Sequence, residues 1–352
     1  MQAMETLVSV ILVLAGIYVG WNIGANDAAN CIGTTVGAQV MPYRRAVALM
    51  AVFVVLGGMA HGENVMETVG HGIVIADAGD WVKAHGAAPP ADFAAHFPSG
   101  RLPDAAILAA LLSAGLFVTL ATFTRVPVST SQAIVGAVAG TGVALVGLDG
   151  RYFRLDVLGE IAVAWVASPV LTMLLSFAFY RALGRWLRGH VTLYARRGLG
   201  FAVMASAAYV SFSLGANDVG NAIGPLYARF PDAALALAVL GGGAMAVGAW
   251  TFGARVTQTV GKDITSLDYA GALAAQFAAA RGVHLFSLAG IPVSTSQAVV
   301  GGVAGVGLTR GFAAVRGRRL ATIFVGWVVT PLTSALIAIL MFKTLGRWLP
   351  AV

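Results

Sequence analysis

Along the chain, apolar positions do not alternate or recur at helical spacing against a polar face; they run unbroken. Stretches of about 17–25 apolar residues are long enough to cross a bilayer as helices. Such stretches are predicted near 4–23, 46–60, 104–124, 155–180, 199–215, 233–252, 269–289 and 319–342, the second being short for a span. Between them lie shorter Gly- and Ser/Thr-rich pieces near 27–40, 64–76, 129–147, 219–228, 255–265 and 294–308, too short or too interrupted to cross alone, which predicts broken or re-entrant helices. The expected fold is an all-α polytopic membrane protein.

Internal repetition organises these pieces. Ile23-Gly-Ala-Asn-Asp-Ala-Ala-Asn-Cys-Ile-Gly33 recurs as Leu214-Gly-Ala-Asn-Asp-Val-Gly-Asn-Ala-Ile-Gly224, and Thr68-Val-Gly70 as Thr259-Val-Gly261, both 191 residues on. Val126-Pro-Val-Ser-Thr-Ser-Gln-Ala133 recurs as Ile291-Pro-Val-Ser-Thr-Ser-Gln-Ala298 at an offset of 165, and Gly184-Arg-Trp-Leu187 as Gly346-Arg-Trp-Leu349 at 162. The fall in offset places about 26 extra residues in the first half, within 77–103, a polar, Pro-bearing stretch that reads as an extramembrane loop. The halves are 1–187 and 198–352, joined by an arginine-rich link at 188–197 that starts near 181.

Composition supports this reading. Of 352 residues 58% are hydrophobic, and only 22 basic and 15 acidic side chains are present, too few to cover a soluble protein of this size. The net charge of +7 is not a nucleic-acid signature, because the arginines gather at the ends of apolar runs, as at Arg181, Arg185, Arg188, Arg196 and Arg197. Positive residues favour the cytoplasm, which puts the link inside and the acid-bearing 77–103 segment outside. With an odd number of crossings per half, the halves are inverted in the membrane, an architecture of secondary transporters with a midplane site. The single cysteine, Cys31, excludes an intrachain disulfide, and no Cys/His set has metal-ligand spacing. Met1–Glu5 lacks a basic segment, so the first apolar run is expected to be retained rather than cleaved.

Two motifs carry chemistry. Asn26 and Asn30 lie one helical turn apart with Asp27 beside them, and Asn217, Asp218 and Asn221 repeat the set. A carboxylate with amide oxygens suits a hard cation such as sodium. The plainer reading is that Gly-Ala-Asn-Asp ends one helix and caps the next; an acid repeated inside two apolar segments favours a ligand, and both can hold together. In Pro127-Val-Ser129-Thr130-Ser131-Gln132 the proline holds the preceding residue extended and the hydroxyls open a new helix. Such an N-terminus attracts anions, and Ser294, Thr295, Ser296 and Gln297 repeat it. Ordinary capping by the hydroxyls leaves Gln132 and Gln297 unexplained. Hydrolysis by Ser129 is disfavoured, since the lysine of Ser-x-x-Lys enzymes is absent. An oxyanion beside Asp27 and Asp218 needs intervening cations, which would couple the two ligands. Glu63 and Glu67 share a face in an apolar context, either as a candidate proton or cation site or facing a water-filled loop, and Glu67 has Gln258 as its repeat partner. Arg125 is a candidate for interfacial snorkelling or anion attraction, and His61 and His71 read as packing residues.

Paired Gly-Ala-Asn-Asp and Pro-Val-Ser-Thr-Ser-Gln motifs resemble those of the inorganic phosphate transporter (PiT) family of cation-coupled phosphate symporters, over essentially the whole chain. The resemblance implies an inverted repeat of about 12 helical segments, with a transport core and a dimerising scaffold. It implies phosphate contacts from Ser129, Thr130, Ser131, Ser294, Thr295 and Ser296. Sodium contacts are implied from Asn26, Asp27, Asn30, Asn217, Asp218, Asn221, Gln132 and Gln297, with Glu67 as a candidate coupling acid. No cofactor beyond transported sodium ions or protons, and no enzymatic activity, is implied; the partners are phosphate, sodium, membrane lipid and a second copy in a homodimer, in the plasma (inner) membrane. Proton coupling, sulfate transport by the same superfamily, and an anion-sensing receptor or channel are the competing readings. Retention of both Asn-Asp pairs favours phosphate over sulfate, and arsenate is expected to be accepted.

Overall fold

The computed structural model describes residues 2–124, 128–187, 193–254, 268–311 and 317–347, and these are almost wholly helical. The long rods are α1 (Gln2–Gly37), α2 (Tyr43–His71), α5 (Asp104–Thr124), α7 (Leu155–Leu187), α8 (Leu193–Leu214), α10 (Ala234–Gly248), α11 (Tyr269–Leu288) and α13 (Gly317–Leu345). The short ones are α3 (Ala78–His85), α4 (Phe93–His96), α6 (Thr130–Val146), α9 (Gly220–Tyr227) and α12 (Thr295–Leu308). Seven helical stretches among the described residues are long and apolar enough to cross a membrane. Rows of exposed Leu and Val, such as Val163, Val166 and Val170 on α7 and Leu332, Leu336 and Leu340 on α13, recur at helical spacing and form faces suited to lipid. The chain is an integral, multi-pass membrane protein.

The expected breaks at Gly-Ala-Asn-Asp do not occur. The pieces 4–23 and 27–40 fuse into α1, and 46–60 and 64–76 fuse into α2, because neither junction holds a proline and their polar side chains stay compatible with the i→i−4 ladder. In the second copy α8 runs into α9 through a five-residue π turn, Gly215–Val219, so the motif widens the helix without ending it. Only 129–147 and 294–308 are short separate helices, α6 and α12, roughly 26 and 21 Å long at 1.5 Å per residue, against a ~30 Å hydrocarbon core. The piece near 255–265 lies outside the described residues. The run at 269–289 forms α11, which carries Gln276, Arg281 and His284 and is not among the seven candidate spans.

The 77–103 segment is a folded cap. Trp81, Phe93 and Phe97 bury against Tyr152 from the turn before α7. Asp77 starts α3 by accepting from the N–H groups of Gly79 and Asp80 at 2.7 and 3.1 Å. Ile75 N–H to Tyr152 O (2.8 Å) and Arg154 N–H to Ile73 O (3.1 Å) fix the two strands of chain together.

The repeats pack by exchange. Gly24 of α1 lies on the backbone of Met245 in α10, and its repeat mate Gly215 lies on Val54 in α2, which is the mate of Met245. Likewise Gly136 of α6 abuts Pro331 of α13, while Gly301 of α12 abuts Pro169 of α7. Each short helix thus docks on the proline-bearing helix of the other half, at contacts where any Cβ would collide with main chain. Accordingly, Gly24→Val or Gly215→Val is expected to cost at least ~2 kcal/mol by overpacking. It should abolish the monodisperse size-exclusion peak, whereas Gly243→Ala, at a position with open space around it, should leave the peak intact.

Candidate substrate and cation site

Asp27 and Asp218 sit on the inner face of the bundle with 1% and 0% of their surface exposed. An ionised carboxylate in such a place needs hydrogen-bond donors on both oxygens. For Asp218, Oδ1 accepts from Asn217 Nδ2 and Asn221 Nδ2, each at 2.8 Å, and Oδ2 accepts from Thr295 Oγ1 at 2.8 Å. For Asp27, Oδ1 accepts from Asn30 Nδ2 at 2.7 Å and from Ser296 Oγ at 3.2 Å, while Oδ2 accepts from Thr130 Oγ1 at 3.2 Å. Neither aspartate caps a helix; both lie inside continuous helical chain, which removes the capping reading.

The hydroxyl triplets divide their work. Ser129 and Ser294 are the N-caps of α6 and α12, accepting from the N–H of Gln132 (3.2 Å) and Gln297 (3.3 Å). Thr130 and Thr295 bond the aspartates. The third serines differ: Ser296 reaches across to Asp27 and receives a bond from Asn30 at 2.8 Å, while Ser131 lies 3.2 Å from Ser129 Oγ. Two helix N-termini, whose first N–H groups have no intrahelical acceptor, therefore end inside the bundle beside the two acids.

Three carbonyl-type oxygens, Gln132 Oε1, Gln297 Oε1 and Asn221 Oδ1, are buried without a hydrogen-bond partner. Asn221 bonds Asp218 through its other amide atom, and the two glutamines follow directly on the hydroxyls that bond or neighbour the acids; buried amide oxygens of this kind are suited to a cation with an oxygen shell. Asn217 is held by main chain from the motif loop, its Nδ2 donating to Val293 O (2.6 Å) and its Oδ1 accepting from Val293 N–H (3.1 Å). That grip had no signature in the sequence, since Val293 acts through its backbone. Asn26 is bonded to Thr122 of α5 at 3.0 Å rather than to Asp27.

Glu67 is not drawn into this network. Its side chain is 60% exposed, 3.5 Å from His71 Nδ1, on the rim of an open pocket of about 390 Å³ that also holds Glu63, Asn64, Tyr227 and Gly290. Asn64 donates to Leu288 O at 3.3 Å, so the pocket borders the turn that leads into Ser294. His61 packs its ring 5.2 Å from that of His284. Arg125 and Gln258 lie outside the described residues.

Comparisons with known proteins cover both halves of the chain, with both copies of the Gly-Ala-Asn-Asp and Pro-Val-Ser-Thr-Ser-Gln motifs inside the matched residues. The phosphate transporter family model matches residues 23–199 and again 190–338. The chain belongs to the phosphate transporter family. A candidate phosphate permease of Thermococcus kodakarensis is 27% identical, covering 95% of this chain and 97% of its own. Inorganic phosphate transporter 2-1, chloroplastic, of Arabidopsis thaliana is also 27% identical, over 95% of this chain and 71% of that protein. A solved structure described as the sodium-dependent phosphate transporter superposes with a TM-score of 0.82 and 26% identity, covering 97% of this chain and all of its own. This family member is a transporter, not an enzyme.

Among the described residues, the hydroxyl of Thr295 is the one donor to Asp218 that comes from another helix. Thr295→Val should reduce phosphate uptake by about tenfold or more, from ~1.5–3 kcal/mol for a hydrogen bond to a charged group; Thr295→Ser should recover most of it, measured as initial rates in vesicles.

Proposed function

We propose that the protein imports inorganic phosphate by symport with sodium through alternating access, with its two halves inverted in the membrane and two copies associated as a homodimer. The observation that carries the symport reading is the pairing of two buried aspartates with hydroxyls from two helix N-termini, in motifs whose Gln132, Gln297 and Asn221 leave buried amide oxygens without partners among the described residues. Phosphate is taken by the triplets Ser129, Thr130, Ser131 and Ser294, Thr295, Ser296, whose hydroxyls and backbone N–H groups replace its water. Sodium is taken by Asp27 and Asp218 with Asn30, Asn217, Asn221, Gln132 and Gln297; Asn26 belongs to the wall leading to this set.

Electrostatics supplies the coupling. Two like charges 4 Å apart repel by about 4 kcal/mol at an effective dielectric constant of 20, so anion and bare carboxylates exclude one another. A sodium ion between them turns that repulsion into attraction, and each ligand then raises the affinity for the other by the same factor. The likeness to a sodium-dependent phosphate transporter supports sodium as the driving ion. Glu67, exposed beside His71, stands at the pocket rim and is assigned no coupling role.

Uptake of labelled phosphate into proteoliposomes tests this. An inward sodium gradient should drive accumulation, a proton gradient alone should not, and excess sulfate should not compete. Uptake driven by protons only would overturn sodium coupling and make the aspartates the proton carriers; competition by sulfate would overturn phosphate selectivity. Asp27→Asn and Asp218→Asn should each lower the sodium-driven rate by about 100-fold, as for loss of a buried charged partner worth roughly 3 kcal/mol, with the protein still monodisperse. Wild-type uptake in both variants would remove the aspartates from the cation site.

A further inference from the structure

On α1, Tyr18, Asn22, Asn26 and Asn30 recur at every fourth residue and so form one stripe, spanning about 18 Å at 1.5 Å per residue. Polar side chains at four successive turns of a membrane helix are costly unless they have a task. Two hydroxyls one turn apart on α5 face them. Thr119 Oγ1 donates to Asn22 Oδ1 at 2.7 Å, so the 2.6 Å contact between Tyr18 and Thr119 has the tyrosine as donor. One turn further along, Asn26 Nδ2 donates to Thr122 Oγ1 at 3.0 Å. The stripe ends at Asn30, which bonds Asp27.

We propose that this ladder is the route by which the driving cation reaches Asp27, its oxygens standing in successively for water. The inference rests on the reading of Asp27 as part of the cation site. A single polar pair suffices to hold two membrane helices together; here polar groups recur at successive turns, as Tyr18–Thr119–Asn22, then Asn26–Thr122, then Asn30 on the carboxylate. The ladder leaves the site toward the end of the bundle that carries residues 77–103. Gly16, just beyond Tyr18, lies against Leu226, and Gly70, at the end of α2, lies against Gly224 and Ala228.

The second repeat keeps the register but not, within it, the hydroxyl–amide pairs between helices. Its equivalent positions are Tyr209, Ser213, Asn217 and Asn221 on the α8–α9 rod, opposite His284 and Ser287 on α11. There Ser213 turns back to Tyr209 O at 2.8 Å, Ser287 bonds Val283 O, and Asn217 is taken by both backbone groups of Val293. In place of the Thr119 hydroxyl stands the imidazole of His284, with Nδ1 3.1 Å from Tyr209 OH and Nε2 buried without a partner. The same register thus carries hydroxyl–amide pairs between helices at two levels in the first half, and among the described residues none in the second, although both rows end on an aspartate, through Asn30 on Asp27 and through Asn217 and Asn221 on Asp218.

The experiment uses the full-length protein carrying Thr119→Val, Thr122→Val or Thr119→Ser. It compares initial rates of sodium-driven phosphate uptake in proteoliposomes with equilibrium sodium-dependent binding of labelled phosphate to the purified protein. A route predicts that both valine variants lose about tenfold in rate while binding stays within about twofold, and that serine restores the rate. Wild-type rates in both valine variants would overturn the proposal. So would an equal loss of rate and binding, which marks a role in the site or in folding. If the wild type is driven by protons and not by sodium, the sodium reading fails by itself; the same comparison of rate with binding, run on a proton gradient, then decides the route.

Discussion

Two carboxylates kept from water inside a membrane set the terms for the rest of this molecule. Each needs donors on both oxygens, and local residues supply only part of them: Asn30 for Asp27, and Asn217 and Asn221 for Asp218. The remainder must come from hydroxyls on other helices, which requires helix N-termini ending inside the bundle. That demand accounts for α6 and α12 being too short to span, for the Pro-Val-Ser-Thr-Ser motifs at their starts, and for glycines where they dock. Burial of the acids and the placing of both short helices therefore draw on the same few hydrogen bonds.

Nearly identical motifs adopt different arrangements in one molecule. Ser296 crosses to Asp27 and Asn30, whereas its mate Ser131 pairs with Ser129; Gly215–Val219 widens to a π turn, whereas residues 24–28 stay α-helical. Since the local sequences scarcely differ, the energy separating the two arrangements is set by their surroundings and not by the motif itself. The same motif therefore has more than one arrangement open to it, and its neighbours select between them.

Much of this was legible in the chain because repetition of long motifs is insensitive to hydropathy thresholds: the two halves, the two short helices and both acid sets are plain from identical residues. The helix ends were not. A dip in hydropathy at Asn26-Asp27 looks like a break, yet the partners that make it tolerable, Thr122, Thr130 and Ser296, come from 96, 103 and 269 residues away in sequence. The folded cap was hidden for the same reason: Trp81, Phe93 and Phe97 look isolated until Tyr152 arrives beside them. For Glu67 the apolar neighbours left both a buried ion site and a water-facing position open; it is exposed, in the last turns of α2.

The exchanged packing at Gly136–Pro331 and Gly301–Pro169 means that neither half owns a complete interior. The surface that fits α6 is encoded by the second half, and the surface that fits α12 by the first. Divergence of the two repeats is thereby constrained in cross-linked pairs: a bulkier residue at position 136 calls for an answer near 331, while 301, its own duplicate, can stay as it was. The halves can drift apart in sequence only so long as each keeps matching the other, a lock that preserves the resemblance between them around the site and leaves the 77–103 insertion free to grow on one side alone.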